Sequence, residues 1–133
     1  MYSLGKCKEI KDTNIDISLN DITYFVNGKK EYRKTLVVDI NHDKYPMSFV
    51  IYKDINDIMN IKKYSKLELS SSDFNEAYIR INNNFYDFIP SDIVINMFGN
   101  AIGITFNYRV SYDYVGFVDI EIELDKINKL LEE

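Results

Sequence analysis

Two stretches in the last third of the chain, residues 101–112 and 115–124, alternate apolar and polar side chains with a period of two. In the first stretch, small and polar residues separate the members of one apolar face, which are Ile102, Ile104, Phe106, Tyr108, Val110 and Tyr112. In the second, acidic residues separate Ile120, Ile122 and Leu124. Successive side chains of a β-strand point to opposite faces of its sheet. The pattern therefore predicts two neighbouring, half-buried strands.

The dipeptide Asn27-Gly28 predicts a tight turn in the first third of the chain. This pair accepts the positive φ angles of a type I′ turn, and it lies between the apolar runs 22–26 and 36–38. Residues 15–19 also alternate, and Asn20-Asp21 is interpreted as a further turn. Near the tip of the predicted hairpin, or on its return strand, we expect four cations: Lys29, Lys30, Arg33 and Lys34.

Other segments complete a fold made mostly of strands. Apolar runs bounded by turn-forming residues predict strands at residues 47–52, 66–70, 77–82, 85–89 and 92–98. Helical spacing of apolar residues appears near 54–63, where Asp54 is a suitable N-cap, and near 125–132. Strands joined by short turns favour antiparallel pairing. We therefore predict a mainly β fold, an antiparallel β-sandwich or β-barrel with one or two short helices.

Length and composition predict one β-rich domain over residues 1–133. The hydrophobic fraction of 46% and the charged fraction of 28% are ordinary for a globular protein. Cys7 is the only cysteine, so an internal disulfide is excluded and a reducing compartment, the cytoplasm, is expected. Lys6 and Lys8 interrupt the first residues, where a signal peptide needs an apolar core, and no apolar run is long enough to span a bilayer. We expect no membrane association.

Charge is distributed unevenly along the chain. The net charge is −5, with +3 in residues 1–66 and −8 in residues 67–133. Such asymmetry is compatible with a self-complementary oligomer or with an acidic surface for a basic partner. The favoured interpretation is simpler, because charges of two sequence halves mix once the chain folds.

Dedicated catalytic or metal-binding motifs are not recognisable in this sequence. Residues 39–43 have the spacing that opens an EF-hand calcium loop, but Lys44 replaces the required glycine and Val50 the closing glutamate. His42 is the only histidine and Cys7 the only thiol. Both lie in polar surroundings without a nucleophile turn, which favours solvent-exposed bystanders. We predict no metal, no cofactor and no catalytic residue.

Two charged groups are candidates for binding. Asp119, Glu121 and Glu123 share one face of a predicted strand, with neighbours about 7 Å apart, a separation known between glycosidase carboxylates. A solvated strand face is the favoured interpretation, and it also discourages aggregation of strand edges. The hairpin cations are interleaved with Tyr24, Phe25 and Tyr32, as on a surface for single-stranded nucleic acid. Because Glu31 interrupts the group and the chain is acidic, we do not expect nucleic acid as the partner.

The sequence favours a binding role over catalysis. Eleven tyrosines are present, and tyrosine is enriched at protein interfaces. Our leading hypothesis is a non-catalytic protein-interaction or assembly module that acts by surface complementarity and self-associates or binds another protein. The alternatives are an acidic inhibitor or adaptor that occupies a basic groove on a nucleic-acid enzyme, and a small β-barrel that binds an apolar ligand. The candidate binding residues are Tyr108, Tyr112, Tyr114, Asp119, Glu121, Glu123, Lys29, Lys30, Tyr32 and Arg33.

Overall fold

The computed structural model describes residues 6–11, 14–63, 66–111 and 114–133, which contain ten β-strands and two α-helices. The strands are β1 Lys6–Lys11, β2 Asn14–Val26, β3 Lys29–Asn41, β4 Met47–Ile51, β5 Lys66–Leu69, β6 Phe74–Ile81, β7 Asn84–Asp87, β8 Ile89–Phe98, β9 Ala101–Ser111 and β10 Tyr114–Glu123. The helices are α1 Ile55–Met59 and α2 Leu124–Glu132, and 3₁₀ turns cover Asn60–Lys63 and Ser71–Asp73. The predicted mainly β fold is confirmed.

The strands form two five-stranded sheets packed face to face as a β-sandwich. Sheet A has the order β1-β10-β9-β8-β5, and sheet B has the order β2-β3-β4-β6-β7. The architecture is therefore the sandwich and not the barrel. Neighbouring strands run antiparallel except for β1 and β10, which are parallel. No tight turn connects this pair, so β1 is free to run parallel to β10.

Both sheets contribute aromatic and aliphatic side chains to one core. Ile104 and Phe106 of β9 and Ile120 of β10 are fully buried, as the alternating pattern predicts. Phe106 contacts Phe49 and Phe74 of sheet B, with ring centroids 5.3 and 5.1 Å apart, both edge to face. This is a favourable geometry for aromatic pairs, and it joins the two sheets across the sandwich.

The β2–β3 hairpin contains the turn predicted at Asn27-Gly28 but not the turn predicted at Asn20-Asp21. Asn27 and Gly28 have φ angles of 53° and 80°, as a type I′ turn requires. The second turn predicted at Asn20-Asp21 was wrong. Strand β2 continues through both residues, which pair with Thr35 and Lys34 in an unbroken register. The apolar alternation changes phase here because the hairpin runs past the core at this point, and not because the chain reverses.

The two helices lie at the predicted places. The Asp54 carboxylate accepts a hydrogen bond from the Asn56 backbone N–H at 2.8 Å and so caps α1. Helix α2 follows β10 directly and buries Ile127 completely. In the part of the chain that the structure describes, neither helix is long and apolar enough to cross a membrane.

The position of Phe106 between the sheets predicts a large effect of its removal. Phe106→Ala is expected to lower the free energy of unfolding by about 3–5 kcal/mol, because it deletes a fully buried ring and leaves a cavity. Urea denaturation measures this change. The exposed Phe25→Ala is the control and is expected to change stability by no more than about 0.5 kcal/mol. Equal effects of the two substitutions would contradict the assignment of the core.

Candidate interaction surface

The β2–β3 hairpin extends well beyond the sheet to which it belongs. The two strands pair along their whole length, from Asn14 opposite Asn41 to Val26 opposite Lys29. Strand β4, however, pairs with β3 only between Leu36 and Ile40. Residues 21–34 therefore form a two-stranded ribbon, here called the arm, which no third strand joins within the described residues.

Side-chain contacts between the two strands hold the arm together. At its base, the Lys34 ammonium lies 2.9 Å from the Asp21 carboxylate, and these residues are directly opposite in the register. Farther out, the Tyr24 hydroxyl donates a hydrogen bond to Glu31 at 3.0 Å. The Arg33 guanidinium lies 3.9 Å from the centroid of the Tyr24 ring. Such cross-strand pairs are the stabilising unit of an isolated ribbon.

One face of the arm exposes aromatic rings beside lysine. This face continues the core-facing side of the hairpin, where Leu19 pairs with Leu36, into solvent. There Phe25 and Tyr32 are 73% and 72% exposed. The Lys30 ammonium lies 5.6 Å from the centre of the Tyr32 ring. An apolar and cationic surface thus projects from the sandwich without a core beneath it.

The arm is basic in an acidic protein. Its four cations and two carboxylates leave a net charge of +2, whereas the chain carries −5. Lys34 and Arg33 are engaged within the ribbon, by Asp21 and Tyr24. The cations that extend the positive surface outward are Lys29 and Lys30, which are exposed beside the turn. The predicted binding residues Lys29, Lys30, Tyr32 and Arg33 therefore lie together on one structural element.

The predicted tyrosines of β9 and β10 lie elsewhere. Tyr108 is only 2% exposed and packs against Phe88, with ring centroids 5.6 Å apart. Its expected place on a binding surface is corrected, since the alternation that predicted β9 also turns this side chain inward. Tyr114 is half-buried, and burial raises the pKa of its phenol. Tyr112 lies outside the described residues.

The acidic candidates occupy the outer face of sheet A. Glu121 and Glu123 are exposed and Asp119 is half-buried, on the opposite side of β10 from the buried Ile120. The predicted separation of carboxylates from aliphatic residues is therefore observed. These carboxylates and the arm belong to different sheets, so the fold does not combine the two groups in one site.

His42 has a structural role in a loop. Its Nδ1 accepts hydrogen bonds from the backbone N–H groups of Lys44 and Tyr45 at 3.2 and 3.1 Å. The Nδ1 atom is therefore occupied by two backbone donors. The Cys7 side chain lies outside the described part of the structure. Among the described residues, no group of three or more histidine, cysteine or acidic side chains is arranged to hold a metal ion.

Sequence reasoning missed a shallow hollow on the outer face of sheet B. The register aligns one residue from each strand in a row: Asp16, Asp39, Ser48, Tyr78 and Asp87. The hollow has a volume of about 290 Å³ and is lined by most of this row together with Phe85. The alternation within each strand indicated outward-facing polar residues. Their convergence depends on strand order, which no local pattern contains.

Comparison with known proteins finds no family model that matches this chain, and no curated protein or solved structure that matches it.

The contacts of Tyr24 predict opposite effects of two substitutions on its titration. Desolvation, followed by the hydrogen bond to Glu31, raises the pKa of the Tyr24 phenol above its ordinary value, while the positive charge of Arg33 opposes this rise. Glu31→Gln is therefore expected to lower the pKa of Tyr24. Arg33→Gln is expected to raise it.

Nuclear magnetic resonance of ring-labelled tyrosine measures this titration, with Tyr24→Phe identifying the signal. A Tyr24 pKa that stays constant in the Glu31→Gln protein would show that the cross-strand contact is not formed in solution.

Proposed function

We propose that this protein is a non-catalytic interaction module and that the arm is its contact surface for a protein partner. The observation that carries the proposal is the pair of aromatic rings, Phe25 and Tyr32, each more than seven-tenths exposed beside lysine. Rigid aromatic side chains supply large contact areas at little entropic cost, and they dominate the energetics of many interfaces.

The structure of the arm supports binding by both side chains and backbone. A two-stranded ribbon is marginally stable in water, so its order is strengthened when another surface covers one of its faces. In the described residues, β2 is the outermost strand of sheet B, and β3 has no neighbour beyond Leu36. Both edges of the arm therefore offer backbone hydrogen-bonding groups to an added strand.

The charge of the arm favours a protein partner over nucleic acid. Two of its four cations are engaged by Asp21 and Tyr24, and Glu31 lies among them. Nucleic-acid affinity grows with the number of phosphates neutralised, which this small surface keeps low. A protein surface with a few carboxylates and exposed apolar groups matches it better. We place this interaction in the cytoplasm, because the single Cys7 suits a reducing compartment.

Site-specific photocrosslinking tests the proposal. The photoreactive residue p-benzoylphenylalanine replaces Phe25 in one variant and Phe98 in a matched control, since Phe98 is 51% exposed on sheet A. After irradiation in an extract of the source cell, we expect a discrete protein adduct from position 25 that is absent from position 98. The adduct is expected to weaken strongly in a K29E/K30E background, because charge steering and rim contacts are lost.

Three results would contradict the proposal. The first is no adduct at position 25, and the second is an adduct there that nuclease removes. The third is an adduct confined to position 98 and lost in an E121K/E123K background, which would favour the acidic inhibitor or adaptor instead.

A further inference from the structure

The hollow on sheet B has the chemistry to receive the arm, and we propose that the arm's partner is a second copy of this chain, docked at that hollow. This inference rests on the proposed function, since it identifies the partner of the same surface. Its basis is the complementarity between two parts of one chain that cannot meet within a single molecule.

The hollow is negatively charged on one side. Asp16 and Asp39 are directly opposite each other on neighbouring strands. Their positions are fixed by hydrogen bonds, because Asn41 donates to Asp16 at 2.9 Å and Ser48 donates to Asp39 at 2.6 Å. Like charges at directly opposite positions are destabilising, and a cation placed between them relieves the repulsion. The exposed ammonium groups of the arm supply such cations.

The other side of the hollow is aromatic. Phe85 is 70% exposed and Tyr78 is 39% exposed, and their rings meet edge to face with centroids 6.3 Å apart. A second depression of about 350 Å³ lies against the same two rings and Asp87. The two rings therefore form a ridge with space on both sides. Phe25 and Tyr32 of the arm can pack along this ridge in the geometries that aromatic pairs prefer.

Arg80 modifies the charge of this face. It is exposed on the outer side of β6, opposite Phe85 in the register. The arm carries Glu31 close to its own lysines. Glu31 pairs with Tyr24 on the face of the arm opposite to Lys30, so the match to the hollow rests on lysine for the aspartates and on the aromatic rings of both surfaces.

The arm cannot reach the hollow of its own molecule. Asp16 and Phe25 belong to the same continuous strand, β2, and nine residues of extended chain separate them by about 30 Å. Because the strand is paired throughout this distance, it does not fold back. Docking therefore joins different molecules. Each copy has one arm and one hollow, so the contact produces a ring or chain of copies, or a dimer in which two arms are exchanged.

The test uses two complementary variants and light-scattering mass from micromolar to millimolar protein. The arm variant is K29E/K30E, and the hollow variant is D16N/D39N, which keeps the hydrogen-bond acceptors in place. We expect the wild-type mass to rise above the monomer with concentration and each variant to associate about tenfold more weakly or worse. An equimolar mixture of the variants is expected to form one-to-one dimers, because one intact arm meets one intact hollow.

Matched controls separate this contact from the effect of net charge. K66E/R109E changes the net charge as much as the arm variant does. E121Q/E123Q changes it as much as the hollow variant does. All four of these control positions lie on the outer face of sheet A. The controls are expected to associate like the wild type. Circular dichroism checks that each protein is folded.

Two outcomes overturn the inference. One is a wild-type protein that stays monomeric at every concentration, and the other is a mixture of the variants that associates no better than either alone. If position 25 still crosslinks to a different protein while the wild type is monomeric, the inference fails and the proposed function stands. Absence of any adduct at position 25 rejects both.

Discussion

The packing of aromatic rings across the sandwich is the interaction on which the rest of the structure depends. Phe106 of sheet A contacts Phe49 and Phe74 of sheet B, and these rings occupy the middle of a core to which both sheets contribute. Such burial supplies the main driving force for folding in a chain whose single cysteine excludes an internal disulfide. Because this core fixes the base of the β2–β3 hairpin, the hairpin can extend beyond it as an ordered arm.

The strands of the β2–β3 hairpin pair in one continuous register through two different surroundings. Near the base of the hairpin, the inward face carries Leu19 and Leu36 and belongs to the core. Farther out, the same face carries Phe25 and Tyr32, which project into solvent. The backbone register is identical in both parts, so only the presence or absence of the opposite sheet decides whether a side chain is buried in the core or exposed to solvent. The hollow on sheet B is acidic where the arm is basic, and like the arm it carries exposed aromatic rings.

Local patterns predicted the elements of this fold well, and the relations between elements less well. The Asn27-Gly28 turn and the faces of β9 and β10 were predictable because φ preferences and the two-residue period act over a few residues. The prediction of a turn at Asn20-Asp21 was wrong. The apolar pattern changes in the same way where a strand ends and where a continuing strand leaves the core. Tyr108 was misplaced because the enrichment of tyrosine at interfaces was weighed above the alternation, which had placed this residue on the apolar face of β9. The hollow at Asp16 and Asp39 was invisible until strand order was known.

Amide hydrogen exchange, followed by mass spectrometry on dilute and on concentrated protein, tests most directly whether the arm is a contact surface between copies of this chain. Our account predicts that residues 21–34 exchange faster than β9 in dilute protein, because the arm has no core beneath it. On concentration, exchange is expected to slow in the arm, while β10 is unaffected. An arm that exchanges at the same rate in both conditions, or slowing confined to β10, would contradict docking of the arm on a second copy.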